Sequence, residues 1–147
     1  MKPSPPGPDR FYLDTSAYLA IVLAERPAAT LLAALGPGAW VSSSLLLIES
    51  RRTIINLGRT GEMAERAVET ALDRVDQDER RFALRDFTPD LASRQPVPAV
   101  RTPRSLDLAH LRTALWFHAA SPLKGFVSLD EAQRRSAREL ALPVLET

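Results

Sequence analysis

The chain has 147 residues, 45% hydrophobic and 25% charged, with a formal net charge of +1. That is one domain's length with room for a real core. No apolar run approaches the roughly 18 residues of a membrane span, and the near-neutral balance gives no global pull toward a polyanion. The absence of cysteine excludes disulfides, thiolate catalysis and Cys-based zinc sites. With only His110 and His118 available, an all-histidine metal site is excluded as well. A bound metal would need oxygen ligands, which points to magnesium or manganese.

The start, "MKPSPPGPD", has four prolines and no apolar h-region. Residues 1–9 are therefore expected to form a disordered Pro-rich extension rather than a secretory signal, and the expected location is cytoplasmic. A single domain is expected over 10–147. "RFYL" reads as a short buried strand, followed by a helix over "SAYLAIVLAE" that ends before Pro27. "AATLLAAL" gives a short second helix, stopped by Gly36-Pro37-Gly38. "AWVSS" is the next strand, its serines placed to cap the helix "SLLLIESRRTIINLG". In the following helix Ala64, Ala67, Val68, Ala71, Leu72 and Val75 make an apolar stripe. The run "DRVDQDER" alternates in sign and reads as a solvated face.

"RFALRDF" reads as a strand with Phe82 and Leu84 on one face. Pro96, Pro98 and Pro103 then interrupt any helix. A helix follows over "SLDLAHLRTALWFHAA", with Ser105 as its cap, then the strand "GFVSLD", the helix "EAQRRSARELA" and a last short strand "LPVLE". Trp40, Trp116 and Phe117 stand in apolar segments and are expected in the core. Short strands alternating with helices predict an α/β fold, a parallel central sheet with helices on both faces. Sites in such sheets form beyond the carboxyl ends of the strands.

Four acids stand where the context is apolar. Asp14 closes "FYL", Glu49 ends the run "LLLI", Asp107 interrupts "LDLAHL" and Asp130 closes "FVSL". Each has an ordinary structural explanation. Asp14 and Asp130 suit helix N-caps, and "DEAQ" has the spacing of a capping box with Gln133 reaching back. Asp107 suits the dipole of a first turn, and Glu49 could pair with Arg52 or Thr53. Their common placement at matched ends of a sheet favours a site. Two carboxylates about 4 Å apart repel by roughly 4 kcal/mol at an effective dielectric near 20. A divalent cation removes that cost, and a magnesium ion that keeps open positions suits hydrolysis of a phosphodiester.

"YLDTSA", "SLLLIESRR", "RSLDLAHLRTAL" and "GFVSLDEAQRRSARELALPVL" resemble, in this order, the signature blocks of PIN-domain ribonucleases. The likeness is to the VapC-type toxins of bacterial type II toxin–antitoxin pairs and covers nearly all of Phe11 to Leu145. It implies a PIN-like fold and Mg2+- or Mn2+-dependent endoribonuclease activity, held off by a cognate VapB-type antitoxin. By position its catalytic and metal-binding acids map to Asp14, Glu49, Asp107 and Asp130, with Ser16 and Ser128 as hydroxyls that orient them. The Pro-rich extension, the interrupting prolines and Arg112 depart from the family pattern and put the shape of the RNA groove in question.

An RNA substrate needs local cations; Arg51, Arg52, Arg134 and Arg135 also follow acids, and Arg104, Arg112 and Lys124 are the candidates to line the groove. His110, three residues past Asp107, is a conceivable general base, although a helix-surface or partly buried histidine is the favoured reading. The helical hairpin from Ser44 to Gln77 carries more apolar length than one small core covers, which suggests an antitoxin segment or a second copy, a homodimer, on that face. Two other readings compete. A receiver-type signalling module also binds magnesium at strand ends, but it needs an early acidic pair and a lysine after a late strand; here Lys124 precedes its strand. A PIN-like scaffold that binds RNA without cutting it would not need the intact acids.

Overall fold

The computed structural model describes residues 1–93 and 104–146. The interruption expected at Pro96, Pro98 and Pro103 lies outside the described residues. Met1 to Asp9 form no helix or strand and are exposed. The elements then run β1 (Arg10–Leu13), α1 (Thr15–Val22), α2 (Ala28–Leu35), β2 (Ala39–Ser43), α3 (Leu45–Arg59) and α4 (Glu65–Glu79). They continue with β3 (Ala83–Arg85), α5 (Pro89–Ser93), α6 (Ser105–Ala120), β4 (Gly125–Val127) and α7 (Glu131–Glu139). Among the described residues no helix is long and apolar enough to cross a membrane.

The four strands form one parallel sheet in the order β3-β2-β1-β4. Alternation along each strand sends side chains to both faces. Phe11, Leu13, Trp40 and Val127 join the core packed beneath α1 to α4, whereas Tyr12, Val41 and Phe126 face α6 and α7. Tyr12 is fully buried and stacks on Phe126 at 5.5 Å with the rings nearly parallel. Helices thus cover both faces of the sheet, as an α/β, PIN-like fold requires. The α3–α4 hairpin is drawn tight at Gly58, where a Cβ would come within 2.8 Å of a Val68 methyl. Only glycine permits that approach.

Several local expectations are corrected. "LPVLE" contributes a single parallel bridge, Phe126 to Val144, because Pro143 has no N–H with which to extend a ladder. The N-cap of α6 is Arg104, one residue before Ser105, and it makes no side-chain cap bond. At α3 the cap residue Ser44 makes no side-chain bond either; Ser43 Oγ accepts the Leu45 N–H at 3.2 Å instead. The charge run around Asp76 is not wholly solvated. Asp78 is buried and accepts from Tyr18 Oη at 3.1 Å and Arg74 Nε at 2.7 Å. Trp40 and Phe117 are core residues, but Trp116 is exposed, with the Arg85 guanidinium 4.8 Å from its ring centroid.

The strand order places a switch point between β1 and β4. The chain leaves β1 toward β2 on one side and later returns to β4 on the other. Loops diverge there, opening a crevice at the carboxyl ends of both strands.

Candidate active site

Asp14 lies at that crevice. Its N–H donates to the Val127 carbonyl at 3.0 Å, carrying the ladder one residue past β1. Its extended backbone then makes it the N-cap of α1, with Oδ1 accepting the Ala17 N–H at 3.1 Å and the Ser16 hydroxyl at 2.6 Å. The residue is buried, and burial pushes its carboxyl above the ordinary carboxylate value, against the opposing pull of the Ser128 and Ser16 hydroxyls. A plain exposed cap would carry no such strain on its charge.

Two serines join the strand ends. Ser16 Oγ accepts the Leu129 N–H at 3.0 Å and lies 3.3 Å from Ser128 Oγ. Ser128 Oγ in turn accepts the Asp130 N–H at 3.1 Å. The β1 and β4 loops are therefore held together by side-chain hydroxyls rather than by backbone ladder.

Asp130 is exposed at the rim and caps α7, its Oδ1 accepting from the Ala132 and Gln133 N–H groups at 2.9 and 3.3 Å. The expected capping box does not close. Gln133 is buried, and its Nε2 donates to the Asp107 carbonyl at 2.8 Å, tying α7 to α6 instead. Asp107, in the first turn of α6, has no hydrogen bond to its carboxylate among the described residues. Burial raises its carboxyl above the usual value, and the charges of Asp130 and, less strongly, Glu49 act in the same direction; Arg104 and His110 oppose them.

Glu49 comes from α3. It does not pair with Arg52 or Thr53; its Oε1 accepts from Thr15 Oγ1 at 3.0 Å and lies 2.7 Å from His110 Nε2. His110 is buried rather than on the helix surface, and its Nδ1 sits 2.7 Å from Tyr12 Oη. Sequence reasoning gave His110 little weight and passed over Thr15 and Tyr12. The available signal was the i, i+3 spacing of Asp107 and His110, which puts both on one side of α6.

The cations divide. Arg104 is exposed beside Asp107. Arg112 Nη1 donates to the Leu91 carbonyl at 3.0 Å, packing α6 on α5. Lys124 does not reach the acids: its N–H donates to the Arg10 carbonyl, which places it at the amino edge of the sheet. From that edge to the carboxyl edge is a strand length of about 10 Å.

Among the described residues no group of three or more acidic or histidine side chains stands ready to hold a metal ion. Asp14, Glu49 and Asp130 each spend one oxygen on a neighbour within the protein. The donor chemistry still suits a hard cation: the candidate ligands are all carboxylates, and Asp107 bears the repulsion of two others.

No family model matches the chain. Two curated relatives do, both named Ribonuclease VapC35, from Mycobacterium tuberculosis strains CDC 1551 / Oshkosh and ATCC 25618 / H37Rv. Each is 31% identical over 137 residues, spanning 91% of this chain and 94% of its own length. At that identity and coverage, and with the parallel sheet and helical layers described above, the chain belongs to the VapC-type PIN-domain ribonucleases.

Proposed function

We propose that this protein is a cytoplasmic Mg2+- or Mn2+-dependent endoribonuclease and the toxin of a toxin–antitoxin pair. The observation that carries the reading is electrostatic. Asp107 feels the charges of Asp130 and Glu49, from three separate elements, with Arg104 and His110 opposing them. Such mutual repulsion is a standing cost unless a cation or substrate relieves it.

Asp14, Glu49, Asp107 and Asp130 would hold the ion, and Ser16 and Ser128 keep Asp14 and the Asp130 loop in place. A divalent ion, when bound, supplies positive charge to a phosphate and acidifies a nearby water. The chain's own part is to position and to move protons. Carboxylates with raised proton affinity, Asp14 and Asp107, suit acceptance of the proton from the attacking water. Water oxygen adds to phosphorus, the bond to the 3′-oxygen breaks, and that oxygen takes up a proton, leaving 5′-phosphate and 3′-hydroxyl ends. Arg104 at the rim suits a contact to a backbone phosphate.

The partner we propose is a VapB-type antitoxin, with a homodimer of this chain as the assembly it binds. Support comes from α3, where Ile48 and Ile55 are 66% and 48% exposed one above the other on an unpartnered face. Size exclusion with and without a co-expressed partner tests this; a strict monomer indifferent to any partner contradicts it.

The activity is tested by incubating total RNA with the purified chain in Mn2+, Mg2+ or excess EDTA and mapping the new ends. Ion-dependent cuts with 5′-phosphates support it. RNA that is bound but left intact under every condition would instead fit a non-cleaving scaffold.

A further inference from the structure

One deeply buried polar group beside the acids is left without a task by the proposed chemistry. His110 is 2% exposed and contacts residues from three other elements. Nε2 lies 2.7 Å from Glu49 Oε1 and 3.2 Å from Thr15 Oγ1, and Nδ1 lies 2.7 Å from Tyr12 Oη. Two acceptors cannot face each other at 2.7 Å, so with Glu49 ionised Nε2 must carry a proton and donate it. On the other side Tyr12 is fully buried, and burial drives its phenol further toward the protonated form. At 2.7 Å the Tyr12 O–H can donate to the Nδ1 lone pair, the arrangement that goes with a proton on Nε2.

The result falls on one oxygen. Both Thr15 Oγ1 and His110 Nε2 donate to Oε1 of Glu49. Oε2 has no hydrogen bond among the described residues. Glu49 is thus oriented from behind, with its two oxygens made unequal. The same ring is anchored on α6 one turn from Asp107, so Glu49 on α3 and Asp107 on α6 are set relative to each other through it.

We propose that His110 is the positioning residue of this site: its Nε2–H, fixed in that tautomer by the Tyr12 hydroxyl, holds Glu49 by Oε1 and presents Oε2 to the ion. The inference rests on the metal-dependent reading above. It is the arrangement by which partners behind a ligand tune affinity, where loss of the partner typically costs about 10- to 100-fold.

The test uses the full chain and two readouts. Long-range nitrogen–proton NMR on 15N-histidine protein reads the His110 tautomer without any metal. Nε2–H in the wild type, lost or mixed with Nδ1–H in Tyr12→Phe, is the expected result; Nδ1–H in the wild type overturns the proposal. Calorimetric titration with Mn2+ then compares His110→Leu, which removes the donor, with His110→Gln, which keeps an N–H. We expect affinity to fall about 10- to 100-fold in the leucine variant and largely to return in the glutamine variant. Circular dichroism and thermal melts establish that both are folded. Equal affinity in wild type and His110→Leu, or equal loss in both folded variants, overturns the positioning role. A wild-type chain that takes up no Mn2+ yet has the Nε2–H tautomer sinks the metal reading and supports the hydrogen-bonded placement of Glu49.

Discussion

Glu49 Oε1 and His110 Nε2 lie 2.7 Å apart across 61 residues of sequence. Through Thr15 and Tyr12, which also contact the His110 ring, the pair is tied to β1 and the start of α1. It also sets α3 against α6 at the point where each contributes an acid. Asp14, Glu49 and Asp130 are therefore braced, held by a hydroxyl, an imidazole or a backbone N–H, while the Asp107 carboxylate has no such partner among the described residues.

Bracing predicts that hydroxyls matter. Ser16 Oγ donates to Asp14 Oδ1 at 2.6 Å and accepts from the Leu129 N–H at 3.0 Å, joining the two strand ends through one atom. Ser16→Ala should lower the RNA cleavage rate by about 10- to 100-fold, the usual effect of removing a ligand's support. Its melting temperature should change little. A single-turnover rate equal to wild type would remove Ser16 from the site.

The charge on Asp14 has a consequence for stability. Its folded pKa is raised by burial, so between the unfolded carboxylate value, about 3.9, and the folded value the native state binds the extra proton. Stability of the metal-free protein should then fall as pH rises through that window. Asp14→Asn, which can still cap α1 but carries no charge, should be at least as stable as wild type at neutral pH and gain nothing below about pH 4. Urea melts across pH in EDTA measure this. A neutral-pH loss of stability in the asparagine variant would contradict the buried-charge assignment.

The cations should separate by position. Arg104 is exposed beside Asp107, whereas Lys124 is at the opposite edge of the sheet. Arg104→Ala is expected to weaken RNA binding and reduce the salt slope by about one phosphate contact, while Lys124→Ala leaves both unchanged. Binding to a labelled single-stranded RNA at several salt concentrations distinguishes them.

Asp78 should govern stability without touching activity. It is 2% exposed and takes hydrogen bonds from Tyr18 and Arg74, bringing α1 onto α4. Asp78→Ala should cost about 3 kcal/mol, because the buried Tyr18 hydroxyl loses its acceptor and Arg74 its partner. The checks are a urea midpoint, expected to fall, and specific cleavage by the folded fraction, expected to hold.

What the sequence made legible follows from range. The helices of "AATLLAAL" and of the stripe Ala64 to Val75 form where their periodicity puts them, and the strands "RFYL" and "AWVSS" are dictated by short apolar runs bounded by turn residues, whereas of "GFVSLD" only Gly125–Val127 is strand. Asp14 and Asp130 are both caps, since a cap is local chemistry, but only Asp14 directly follows its strand: β4 stops at Val127, three residues before Asp130. Contacts set by tertiary packing were not legible. Nothing near Gln133 says it bonds to Asp107 on another helix rather than to its own cap. Nothing in an alternating charge run says that Asp78 turns inward to Tyr18. Lys124 is six residues from Asp130 in sequence, but a parallel strand carries it to the far edge of the sheet.

Cleavage by Asp14→Asn against wild type, on the same RNA with Mn2+ supplied, most directly tests whether these acids form the cutting site. The account predicts ion-dependent cuts from the wild type and none from a variant that melts at the same temperature or higher. Undiminished cutting by a folded Asp14→Asn protein would contradict it.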